Sequence, residues 1–299
     1  MNHLAFTLAA YFFNALSILA NKFLLKSTIP NPLIYTFYIS FISLIALFAL
    51  PFTKIPSLEV FILASLSTLL WTFGAYFMFK ALKAGQVSRV IPIIGTIVPM
   101  ILLTFASGTN ALTNTQTAAI AILIAGVFFL TSSNWKGKII KREITFEFLA
   151  AAGFASSYII LRQAYQSLDF LSVLAWSRLI LLPFCLFVIA IPSLRTKIIT
   201  SHGLKIDFFS QIGFIFLGGQ AAGIFSELLI RYSITLANPA LVNSLQGTQY
   251  IILFVFGIIL SKKYPDIFKE KYTFAVLISK LIGIILIGTG LFLLAFSRI

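Results

Sequence analysis

Ten stretches of unbroken apolar sequence decide what this chain can become. They run Leu4–Leu25, Leu33–Phe52, Leu58–Phe79, Val87–Ala106, Gln116–Ser133, Phe146–Leu161, Phe170–Ile191, Phe208–Ile234, Leu241–Leu260 and Val276–Phe296. About 20 apolar residues in a helix cross a hydrocarbon core roughly 30 Å thick. Phe146–Leu161 is the weakest of the ten, short and rich in Ala, Gly and Ser, and spans only where neighbours cover it. None of the runs alternates as a β-barrel strand does, which leaves helices as the way to satisfy the backbone in lipid. The fold class is therefore all-α, a polytopic membrane protein with ten transmembrane helices. A composition of 60% hydrophobic and 10% charged residues agrees. No basic residue precedes the first run and no small-residue cleavage site follows it, so a retained span is expected there.

A net charge of +14 would suggest nucleic acid in a soluble chain, but the placement of the charges points elsewhere. Of 22 basic residues, sixteen fall on connections at the face reached by the end of the first helix, Lys22, Lys80 and Arg89 among them. The opposite face has Lys54, Arg162, Arg231 and Arg298. Arg178 and Lys280 lie inside spans, and Lys280, one turn in, is expected to snorkel. The positive-inside rule then places the richer face in the cytoplasm and both termini outside. An integral protein of a bacterial or archaeal cell membrane is expected, with the lipid bilayer as a partner and no nucleic acid.

The ten runs divide into two fives, residues 1–143 and 144–299. Ala119 to Thr131 lies over Gly283 to Ala295, which brings Gly126 onto Gly290. Ala10–Lys22 lies over Ala150–Arg162, and Ala81–Val90 over Ser233–Val242, which carries Gly95-Thr96 onto Gly247-Thr248. Three weak matches in the same order argue for an internal repeat. Since five is odd, the second copy must sit upside down relative to the first, the arrangement that lets a central site open alternately to either side.

On these residues the chain resembles the EamA-like ten-span branch of the drug/metabolite transporter superfamily. The resemblance covers nearly the whole chain and rests on Ala81-Leu82 with Ser88, Pro99 within the fourth helix, and the closing helices with Leu123-Ile124-x-Gly126 and Leu286-Ile287-x-x-Gly290. It implies a central cavity lined by helices one to four and six to nine, with the fifth and tenth packed outside, and it implies export more than import. The chain departs from the family where Ile251 stands in place of a second Pro99. An acid is also missing from Thr104–Gly108 and Leu260–Tyr264.

Glu227 is the acid within the apolar run Phe208–Ile234, where a bare carboxylate costs about 2.5 kcal/mol or more. Arg178, eight residues into its own span, reaches a similar depth of about 12 Å. The two would form a static bridge, or else Glu227 would take a substrate cation or a coupling proton while Arg178 meets a carboxylate or phosphate; Arg231, one turn on, competes for Glu227. After the Asn238-Pro239 break, Asn243, Gln246 and Gln249 recur every three residues and stack amides along one side. The first half supplies Asn14, Ser17 and Asn21, with Tyr35, Tyr38, Trp71, Thr72, Tyr76 and Thr96 as a wall of rings and hydroxyls. Tyr11, Tyr250 and Tyr264 are read as interface markers. Gly218-Gly219 with Gly223 offers a close-approach surface or a hinge.

The chain has no GxxxxGK[ST] phosphate loop, no ligand set for a catalytic metal, and no closely spaced pair of acids within the runs, so neither an enzyme nor a cofactor is expected. The expected function is secondary active transport of a small-molecule substrate, amino acids or related zwitterions first, by a monomer or homodimer. A nucleotide-sugar or lipid-linked solute carrier is the alternative within transport, and a non-transporting membrane scaffold or receptor the alternative outside it.

Overall fold

The structure, a computed structural model, describes residues 2–107, 113–132, 139–200, 210–236, 245–268 and 273–296. Among these residues every regular element is helical. The helices are α1 (Asn2–Ser27), α2 (Pro32–Ser43), α3 (Leu58–Ala84), α4 (Val87–Ser107), α5 (Asn114–Ser132), α6 (Ile139–Ser167), α7 (Phe170–Ser177), α8 (Leu181–Ala190), α9 (Pro192–Thr200), α10 (Gln211–Leu236), α11 (Gln246–Lys263), α12 (Pro265–Phe268) and α13 (Phe274–Phe296). Seven segments are long and apolar enough to cross a membrane, within α1, α2 with its extension, α3, α6, α7–α8, α10 and α13. Val87–Leu102 and Asn114–Leu130 are shorter apolar helices. The Asn238-Pro239 break and Asn243 lie outside the described residues, as does the Arg231 side chain.

Local chemistry sets the helix boundaries. Asn31 caps α2 by accepting from Leu33 N at 3.0 Å, with Pro32 at the first helical position. Ser57 caps α3 through Val60 N, and Asp169 caps α7 through Ser172 N. Proline tightens the second and seventh runs into 3-10 turns. Leu44–Phe52 contains Pro51, and Arg178–Ile180 precedes Pro183, whose ring crowds the carbonyl four residues back. The seventh run is thus one span built from two short α-helices around a tight turn rather than one unbroken α-helix.

Helix directions follow from which ends meet. The Lys22 amine of α1 reaches the Leu82 and Gly85 carbonyls, so α1 and α3 run parallel, with their C-terminal ends together. Ser67 bonds Ser157 while Phe77 lies against Phe146, so α6 runs antiparallel to α3. Phe6 meets Tyr232 and Phe13 meets Phe225, so α10 runs antiparallel to α1. The α5–α13 pair is antiparallel too, because Gly126 abuts Ile287 while Gly290 abuts Leu123.

Small residues permit these close crossings. A Cβ added at Gly153 would lie 2.8 Å from the Gly74 backbone. One at Gly223 would lie 2.9 Å from Ser17 Oγ, and one at Gly219 would press on Ala20. The Gly219/Gly223 surface is therefore a packing seam against α1, whereas Gly218 faces open space. Packing differs between α3 and α10. Among the described residues α3 has extended contact with α6, α2 and α7, but α10 only with α1.

Candidate functional site

Two polar clusters ride on α1, one turned to α11 and one to α2 and α10. Asn14 Nδ2 donates to Gln249 Oε1 at 3.4 Å, and Gln249 is buried. Two turns further on, Tyr35 OH donates to Asn21 Oδ1 at 2.6 Å, and Gln220 Nε2 donates to the same oxygen at 3.3 Å. Asn14 and Asn21 are seven residues apart, so both project from one side of α1, about 10 Å apart along the axis. The clusters join residues from both ends of the sequence, and every member is neutral.

The wall opposite Asn14 comes from α4. Pro99 has no N–H, so the Gly95 carbonyl loses its intrahelical donor. At that point Tyr250 and Gln246 of α11 abut the glycine, and any side chain at Gly95 would take the place of the Tyr250 hydroxyl. Tyr250 is fully buried, and its hydroxyl has no hydrogen-bond partner. Thr96, also fully buried, donates to Pro92 O at 2.7 Å within its own helix. A freed carbonyl, a phenol and amides on two helices make a surface able to bind a small polar solute by donors and acceptors together.

The structure thus brings Asn14 to Gln249 and Gln246 to Gly95, whereas the Thr96 hydroxyl turns back onto its own helix. Tyr38 instead donates to Ile198 O in α9, and the Trp71 ring lies by Phe154 near the surface. Tyr76 carries the Lys80 amine 4.6 Å above its ring at the end of α3. Arg178 is half-buried in the tight turn, which packs against α3, α7 and α8. Glu227 is exposed on α10, seven residues beyond Gln220 and so on the same side of that helix. An apolar cleft of about 320 Å³ between Ile55, Leu58 and Trp176 lies apart from both amide clusters.

Several expectations change. Tyr11 and Tyr250 lie in the packed interior rather than at an interface, and Gly95 on α4 leaves room for the Tyr250 ring. Lys280 does not snorkel: it is fully buried and its amine donates to Gln86 Oε1 at 2.7 Å and Ser88 Oγ at 2.9 Å. Helix α6 starts seven residues before the expected Phe146, and it carries Glu143 and Glu147 into the interior as a close acid pair. Sequence reasoning passed over that pair and Gln220. A Lys-Arg-Glu run before an apolar stretch reads as a connection, and only the i, i+4 spacing of the acids marks a shared helix face. Among the described residues no three metal-ligating side chains come together.

No family model matches the chain, and no curated protein matches it. Solved structures do match in fold. One, described as "Crystal structure of protein", superposes with a TM-score of 0.53 at 14% identity, covering 97% of this chain and 99% of that one. The likeness is one of fold alone.

Proposed function

We propose that the chain is a ten-span secondary transporter of the drug/metabolite type, carrying small metabolites such as amino acids by alternating access between two inverted five-helix units. The observation that carries this reading is the α5–α13 seam. A Cβ at Gly126 would lie 2.7 Å from Ile287 and 3.0 Å from the Gly283 carbonyl, and one at Gly290 would lie 2.7 Å from Leu123 and 3.2 Å from the Ala119 carbonyl. The sequence match places Gly126 on Gly290, Leu123 on Ile287 and Ala119 on Gly283. Each contact is therefore the other with the halves exchanged, across two antiparallel helices. Exchange also turns the antiparallel pair α3–α6 into α10–α1. Both regularities are what an inverted duplication would produce.

The site chemistry favours a solute of no net charge. The two α1 clusters hold amides and hydroxyls, while Lys22 and Lys80, which a nucleotide-sugar carrier would turn toward an anion, are engaged with carbonyls and aromatic rings. Loop charge favours external termini, and a reporter fused after Ile299 should be active only outside the cytoplasm.

Counterflow in proteoliposomes tests the whole reading. Wild type should exchange at least one amino acid, and Asn14→Ala and Gln249→Ala should each lower its exchange about tenfold, the worth of one well-made hydrogen bond. Exchange of no solute by the wild type would defeat the transport reading, and parental rates in both variants would defeat the site.

A further inference from the structure

Buried ionisable side chains meet where α4 leaves α3, away from the amide clusters. Arg89, in the first turn of α4, is 1% exposed and its guanidinium meets two carboxylates of α6, Glu143 and, at 3.2 Å, Glu147. The two acids are four residues apart and reach the same group from one helix face. Glu147 is 0% exposed, and its Oε2 has no hydrogen-bond partner, nor has Arg89 Nε. An added Cβ at Gly85, in the joint between α3 and α4, would lie 2.7 Å from the same guanidinium.

Two carboxylates against one guanidinium leave one negative charge without compensation. Among the described residues no further cation facing the pair supplies it. From α3, Lys80 holds its amine over the rings of Tyr76, Phe77 and Phe146, and Lys83 donates to Pro30 O at 2.6 Å. On α6 itself Lys141 and Arg142 are exposed, and α7 brings no ionisable side chain. At the joint, Lys22 and Lys280 hold the Leu82 and Gly85 carbonyls and the Gln86 and Ser88 side chains. An uncompensated ion in such a place costs several kcal/mol, and paired carboxylates escape the cost by retaining a proton.

We propose that Arg89, Glu143 and Glu147 form a proton-binding site that holds one proton on Glu147 Oε2, and that loading and release of this proton sets how tightly α4 is held to α6. Loaded, the triad is neutral and closes without water. When the proton leaves Oε2 for water, the triad carries a net negative charge that hydration must balance, and α4 parts from α6 to admit it. The site needs no bound solute, so it stands or falls separately from the transport reading.

Infrared spectroscopy of the full-length protein in lipid nanodiscs tests this. Near neutral pH the wild type should show a protonated-carboxyl stretch that shifts on deuteration. Glu147→Gln should abolish it. Glu143→Gln should abolish it as well, because one carboxylate then balances one guanidinium, and Arg89→Met should double it. Absence of a protonated carboxyl in the wild type, a measurement that needs no variant to fold, overturns the proposal. So does a band of unchanged size in Glu147→Gln.

Discussion

Lys22 illustrates how backbone carbonyls help hold a cation in an apolar interior. Its amine is buried at the C-terminal end of α3, where the last carbonyls lack intrahelical donors and the helix dipole is negative. Lys22→Met keeps much of the side-chain volume but leaves those carbonyls unpaired. It should lower unfolding stability by about 2 kcal/mol, the range of hydrogen bonds to charged groups, read as a depressed melting temperature in detergent. Asp169 makes a smaller device at the start of α7. The Ser172 N–H and hydroxyl both donate to its carboxylate and hold its pKa below the ordinary value. A depressed acid stabilises the folded cap above its unfolded pKa and loses that effect as pH falls through the folded one. Amide exchange at Ser172 and Val173 should therefore stay slow through the ordinary carboxylate range and speed up only below it, while Asp169→Asn should show no such step. Residues like Asn14 and Gln249 were legible because an amide in an apolar run advertises a buried partner. The positions of Lys22 and Lys280 were not, since a lysine near the end of a span reads alike whether it snorkels or caps a neighbouring helix.

At the scale of elements, the α5–α13 seam separates glycines that matter from those that do not. Gly126→Val would press a side chain onto the Gly283 carbonyl and the Ile287 backbone, and backbone atoms in two helices cannot step aside singly. Overpacking of this sort costs about 1–3 kcal/mol, so the variant should melt measurably earlier. Gly288→Ala on the same helix meets nothing within 4 Å and should melt no earlier than wild type. Thermal melts of the two variants side by side read the difference, and equal losses would mean the seam is not closely packed. The matched positions of Gly126 and Gly290 are legible in the sequence, and both are places where the facing helix leaves no room for a Cβ. The tight turns before Pro183 and around Pro51 are implicit in the prolines, yet hydropathy alone does not register a change of hydrogen-bond pitch and shows each run as continuous helix. The early start of α6 was hidden for the opposite reason, since charge outweighed helix-compatible spacing.

For the whole molecule, the informative feature is where the exchange symmetry of the proposed inverted repeat fails. The first turns of α3 pack directly on α7 through Val60, Ala64 and Val173 at the cation-poor end. Exchange of the halves turns that contact into one between the first turns of α10 and α2 at the cation-rich end. Among the described residues these two helices meet through long side chains, Gln220 in the third turn of α10 to Tyr35 at 3.5 Å, without extended helix contact. Among the described residues one end is closed by helix packing and the other bridged by side chains, the asymmetry that the proposed alternating-access reading asks for. Spin labels at Leu33 and Ile212 report the bridged end, and labels at Ile62 and Leu171 the closed one. If the two units trade shapes, a transported solute should shorten the first distance and lengthen the second in the same population of molecules. Two distances that shorten together would indicate simple compaction, and two that never move would indicate a static bundle; either result would remove alternating access from this protein.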